Sequence, residues 1–181
     1  MWHEQLSDSA DGTPDIWYVR GLWCRRQGEL KSAARCFWEA VSRAPGHRRA
    51  TYQLGQSLES LGEPSAREFL TRASRLSELT QTLDFVLRSG GRDELAMKKA
   101  TEILHNTGRN WEAWAWATTA IEKFPKADWP GEILADVTPT LQRASSQTVA
   151  SANLASRHDY SGFPLPDLSL IHISEPTRPA L

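Results

Sequence analysis

With 181 residues and a formal net charge of −1, the chain has room for one domain or a few stacked repeats, and no global drive toward nucleic acid or an anionic membrane. Apolar residues make up 40% and charged residues 24%, an ordinary balance for a soluble chain, and no apolar run nears the roughly 18 residues that a membrane-spanning helix needs. The two cysteines, Cys24 and Cys36, are too few for a disulfide framework or a zinc site of their own.

In chain order, residues 1–13 are polar and acidic and are expected to be a disordered start; MWHEQLSDSADG has neither the basic nor the apolar region of a signal peptide. Two similar segments follow, WYVRGLWCRRQGELKSAARCFWEAVSRAP and TYQLGQSLESLGEPSAREFLTRAS. Gly21 and Gly55 are 34 residues apart, as are Gly28 and Gly62. Ala33 and Ala66, Phe37 and Leu70, and Ala40 and Ala73 are each 33 apart, with the slip absorbed at Glu63-Pro64. Small Gly21 and Ala33 allow two helices to approach closely, Phe37 and Ala40 share one face, Gly28 and Gly62 end the first helix of each copy, and Pro45 stops the second.

Farther along the repeats degenerate. Leu76, Leu79, Leu83, Val86 and Leu87 form an apolar stripe at helical spacing that Ser89-Gly90-Gly91 breaks. Asp93 and Glu94 favour a helix start, with Ala96, Ala100, Ile103 and Leu104 on one face and Thr107-Gly108 as its end. WEAWAWATTAIEKF is a further helix up to Pro125, and residues 130–145 a weak last one, interrupted by Thr138-Pro139. The helical domain is therefore placed at 14–145 and a Ser/Ala-rich linker at 146–167, extended near the prolines of GFPLPD.

The 34-residue pattern resembles the tetratricopeptide repeat (TPR) family, whose Trp, Leu-Gly, aromatic, Ala, aromatic, Ala and Pro positions are met by Trp17, Gly21, Ala33, Phe37, Ala40 and Pro45, and by Leu54, Gly55, Leu58, Ala66, Leu70 and Ala73. Arg20 and Cys24 depart from it, at a leucine and an aromatic position. The resemblance implies an all-α, TPR-like α-solenoid of stacked antiparallel helix pairs, right-handed over residues 15 to about 125. It also implies a concave peptide-binding groove lined by Tyr18, Leu22, Arg25, Arg49, Tyr52, Gln53 and Gln56. Members that grip chaperone C-termini use a Lys and Asn clamp there; Tyr18 and Leu22 stand in its place, which argues against that ligand. A softer resemblance, carried by RGLWCRRQGELKSAARCFWEAV, YQLGQSLESLG, WEAWAWA and GFPLPD, is to the repeat region of large exported bacterial proteins in which the repeats precede an FG-GAP/VCBS-type β-propeller with an ASPIC/UnbV segment. It implies export, and the chain's own propeller as a partner; without it the chain is expected to be cytoplasmic. Residues Leu168–Arg178, LSLIHISEPTR, match a translated frame of a common transposase-type sequencing adapter. Residues 168–181 are therefore expected to be an artefact, with the natural chain continuing past Asp167.

Candidate chemistry is sparse. The histidines at 3, 47, 105, 158 and 172 lack i,i+4 pairing, and there is no HExxH, GxSxG, Walker loop or GxGxxG, so no catalytic residue, cofactor or metal is assigned. Gly90-Gly91 reads as a helix terminator before a phosphate cradle, and Cys24 and Cys36 as packing residues before a redox pair. Trp111 and Trp114 share a face, read as core before an aromatic anchor. From Arg20 to Arg49 eight Lys/Arg face two acids, a local charge of +6 that is either the solvated surface of two helices or a face for an acidic partner or RNA. The expectation is a non-catalytic scaffold holding a peptide or partner domain in the groove. The alternatives are an RNA- or acidic-partner-binding repeat protein, or the regulatory repeats of an enzyme whose catalytic part lies elsewhere.

Overall fold

Pro14, whose fixed φ suits the first helical position, opens α1 (Pro14–Arg26), with Asp15 in its first turn and Arg25 and Arg26 in its last, each the sign that the helix dipole favours. The computed structural model describes residues 12–144 and 154–167, and α1 is followed there by α2 (Leu30–Arg43), α3 (Arg48–Ser60), α4 (Ala66–Arg88), α5 (Glu94–Asn106), α6 (Asn110–Lys123) and α7 (Trp129–Ala144). Among the described residues there is no strand, so the fold is all-α. Residues 1–11 of the expected acidic start at 1–13, and the adapter-like end at 168–181, lie outside the described residues.

The punctuation predicted from glycine has a definite geometry. Gly28 and Gly62 adopt φ of +80° and +74°, which a Cβ would disfavour. At both, the next amide reaches back to the last helical turn: Glu29 N–H donates to Cys24 O at 3.0 Å and Glu63 N–H to Leu58 O at 2.9 Å. At starts, the Nδ1 of His47 accepts from Ala50 N–H at 3.0 Å and the Asp93 carboxylate from Ala96 N–H at 2.8 Å.

Each helix packs chiefly on the helices before and after it in the chain, and α7 also touches α5. One apolar cluster joins α1 to α4 through fully buried Cys24, Phe37, Val41, Leu54, Leu58 and Phe69. A second joins α4 to α7 through Leu79, Leu104, Ala113, Val137 and Leu141. Gly21 lies against Phe37 so closely that a Cβ there would sit 2.5 Å from the ring, and one on Gly55 would meet Leu70 at 2.8 Å. Both glycines are required by close approach of two helices.

The repeat that the sequence reading loses after α4 returns at a spacing of 80. Met97, Thr101 and Leu104 of α5 correspond to Trp17, Gly21 and Cys24 of α1; Ala113, Ala117 and Ala120 of α6 correspond to Ala33, Phe37 and Ala40 of α2. All twelve are buried. Gly108 and Pro125 end these helices as Gly28 and Pro45 end the first two. The 34-residue period misses this copy because α4 runs for 23 residues where α2 has 14.

Three sequence expectations are corrected. Leu87 is 72% exposed; at the last turn of α4 it faces solvent, while Leu76, Leu79 and Val86 are buried. Residues 130–145, expected as a weak helix, lie largely within a regular α7 that runs through Pro139, because Val137 and Leu141 bury on either side of the lost backbone bond. And residues 154–167, expected as linker, fold back as a 3-10 turn (Leu154–Arg157) and loop on the first four helices. Leu154, Ala155 and Tyr160 are buried there. Trp38 Nε1 donates to the carbonyls of Ala155 and His158, at 3.0 and 2.7 Å, and Tyr160 shares a hydrogen bond with Ser65.

Burial raises the Tyr160 pKa above the ordinary tyrosine value, and the Ser65 bond only partly offsets it. A group whose folded pKa is raised contributes stability at pH below its unfolded value, about 10, and loses it as pH climbs through the folded value. Alkaline denaturation followed by tryptophan fluorescence should therefore be steeper above about pH 10 in the parent than in Tyr160→Phe.

Candidate functional site

The cleft formed by α1, α3 and α4 is built on the caps and glycines just described. Trp17 and Gly21 turn inward, which leaves Tyr18 on the adjoining face of α1, half-buried, its ring 6.0 Å from Phe37 and 5.2 Å from His47. Asp15 holds His47 Nε2 at 3.1 Å while its other nitrogen caps α3, so Tyr18 and the first turn of α3 are fixed together. That turn carries Arg48 and Arg49, and the next carries Tyr52 and Gln53. The facing wall is one face of α4, Leu70, Ala73, Ser74 and Ser77.

These side chains line an open cleft of about 420 Å³. Of the seven residues predicted for a groove, Tyr18, Arg49, Tyr52 and Gln53 meet in it. Arg25 hydrogen-bonds Gln53 from α1. Leu22 packs, half-buried, on the core, and Gln56 pairs with Glu59 at 3.4 Å; neither lines the cleft. Arg48 and the α4 wall were missed. Their signal was there, since Leu70, Ala73 or Ser74, and Ser77 keep helical spacing, but Leu70 and Ala73 read as residues of a buried second helix.

The lining carries two cations and no acid, and Tyr52 is 48% exposed. Arg48 spans to Ser77 at 3.4 Å, and among the described residues Arg49 pairs with no carboxylate. The cleft thus offers a forked cationic donor, a phenol and an apolar floor; it brings no nucleophile together with a base.

The other sequence candidates are distributed as follows. The basic run from Arg20 to Arg49 is not one free surface. Arg35 and Arg43 both pair with Glu39, Arg20 and Arg43 lie over the Trp17 ring, and Arg35 lies over Trp38. Trp111 and Trp114, read as core, are 59% and 38% exposed and meet edge to face at 6.4 Å; Trp116 packs inward in their stead. The amides of Gly90 and Gly91 are spent capping α4, on Leu87 and Val86 carbonyls, so they form no phosphate cradle. Three histidines pair with carboxylates distant in sequence: His47 with Asp15, His105 with Asp136 at 2.8 Å, and His158 with Glu68 at 2.9 Å. No group of three or more metal-ligating side chains assembles among the described residues. Cys24 and Cys36 are fully buried and unoxidised; the Cys36 thiol is pushed up by its hydrogen bond with Cys24 and by burial, which keeps it protonated. Among the described residues no helix is long and apolar enough to cross a membrane.

No known protein family matches the chain, and no curated protein matches it.

Proposed function

We propose that this chain is a non-catalytic interaction scaffold of TPR-like helical repeats that holds a peptide segment, or a segment of an adjoining domain, in the cleft formed by α1, α3 and α4. The observation that carries the reading is the convergence of Tyr18, Arg49, Tyr52 and Gln53 on one open cleft with an apolar floor. Helix packing on chain neighbours, recurrent glycine caps and the copies at spacings of 34 and 80 support a stacked-repeat architecture. An apolar floor flanked by Arg48 and Arg49 favours a ligand with one large apolar side chain and a carboxylate near it.

Selection of random peptides on the purified chain gives this reading a direct test. Selected sequences should pair an apolar residue with Asp, Glu or a free C-terminus. Tyr52→Ala and Arg49→Ala should each weaken them by about 2 kcal/mol, roughly thirtyfold, with unchanged melting temperature. Equal affinity of both variants and the parent for every selected peptide would refute the cleft as the binding surface.

A further inference from the structure

A second cleft, of about 520 Å³, lies on α4 away from the first and is bounded by the end of α5, Asn106 to Gly108, and by the docked turn with Leu154 and Arg157. Beyond Pro64, just before α4, its lining on the helix falls at Arg67, Glu68, Thr71, Arg72 and Arg75, a helical stripe turned away from the buried Phe69, Ala73 and Leu76. Four arginines face it against a single acid. Glu68 is already engaged, by His158 at 2.9 Å and Arg157 at 3.6 Å. Among the described residues no carboxylate pairs with Arg67, Arg72 or Arg75.

Arg72 is the most telling of these. Its guanidinium is anchored on the carbonyls of Thr107, at 3.0 Å, and Pro45, at 3.3 Å, yet its Nε is buried without a hydrogen-bond partner. Leaving a buried donor of a charged group unmet is costly, so the Arg72 cation is not fully compensated by its protein partners. Burial, then Arg157 and Arg109, lower its pKa, and Glu68 offsets them only in part: the cations of the cluster repel one another.

We propose that this arginine cleft binds an acidic peptide segment, independently of the Tyr52 cleft. Arg67 and Arg75 are two turns apart on α4, about 12 Å along the axis. An extended peptide with carboxylates four residues apart spans about 13 Å, so two acids match the two exposed arginines, with the anchored Arg72 adding positive charge between them. Arginine's planar fork suits carboxylates. A peptide is favoured over RNA because the lining offers no aromatic ring on which a base could stack.

Fluorescence anisotropy of labelled hexaglutamate on the full chain tests this. The parent should bind hexaglutamate at low salt and bind labelled hexaglutamine far more weakly. Arg67→Gln with Arg75→Gln, both exposed positions, should weaken hexaglutamate binding about tenfold or more with an unchanged far-UV circular dichroism spectrum. Thr71→Glu, also exposed and placed between them, should do the same by adding a repelling charge. Tyr52→Ala should change it less than about twofold, which separates this site from the first. Unchanged affinity in both arginine-cleft variants would overturn the proposal. So would hexauridylate binding more tightly than hexaglutamate through the same arginines, or inorganic phosphate competing as well as hexaglutamate at equal charge.

Discussion

Phe37→Ala should lower folding stability by about 3–5 kcal/mol, the largest single-residue effect expected in this chain. Phe37 is fully buried, lies against Tyr18 and fills the space that Gly21 leaves open on α1. Truncating it removes the contact between α1 and α2 at Gly21, where the ring lies against the backbone of α1. The complementary change, Gly21→Ala, puts a methyl carbon 2.5 Å from the ring and should cost about 1–3 kcal/mol by overpacking. Because both act on one contact, they should not add: Phe37→Leu in the Gly21→Ala background should recover part of the loss. Urea denaturation of the parent, Gly21→Ala, Phe37→Leu and the double variant checks this; strict additivity would mean that the two positions do not share a space.

Removing the anchors of the docked segment, Leu154→Ala together with Tyr160→Ala, should cost about 3 kcal/mol or more, since each deletes a buried apolar side chain. A linker would tolerate the same pair within about 0.5 kcal/mol. The loss arises on the first cluster, where Trp38 would keep an unpaired indole N–H and Phe69 would lose the ring of His158, now 5.5 Å away. Differential scanning calorimetry should show a lower melting temperature; an unchanged one would mean that the segment contributes nothing to the fold.

Much of the first two helix pairs was legible in the sequence. Gly21, Gly28, Gly55 and Gly62 announce close approach or helix ends through what a Cβ would do there, a purely local property. The third copy was hidden, because its buried positions hold methionine, threonine and alanine in place of Trp17, Gly21 and Phe37, and because the longer α4 shifts its register. The docking of residues 154–167 was also hidden. Its contacts, such as Trp38 with Ala155 and Tyr160 with Ser65, join residues about a hundred positions apart, and Ser/Ala-rich composition reads as loop.

The candidate sites divide the same way. That Tyr18, Arg49, Tyr52 and Gln53 lie together was legible because the family resemblance put them on one face, and the four do line one cleft. Sequence counting overstated the Arg20 to Arg49 run, since Glu39 and Trp17 engage several of its cations. It overlooked Arg67, Arg72 and Arg75, whose isolation shows only once Glu68 is seen to turn to His158 and Arg157. Tryptophan spacing did not reveal that Trp116, not Trp111 and Trp114, packs inward.

The most direct measurement is photo-crosslinking of a selected peptide that carries a benzophenone at its apolar position, with the attachment sites mapped by mass spectrometry. The account predicts attachment within the α1, α3 and α4 cleft, on Tyr18, Tyr52, Gln53 or Leu70, lost on Tyr52→Ala. Attachment confined to Trp111 and Trp114, or to the arginine stripe of α4, would contradict it.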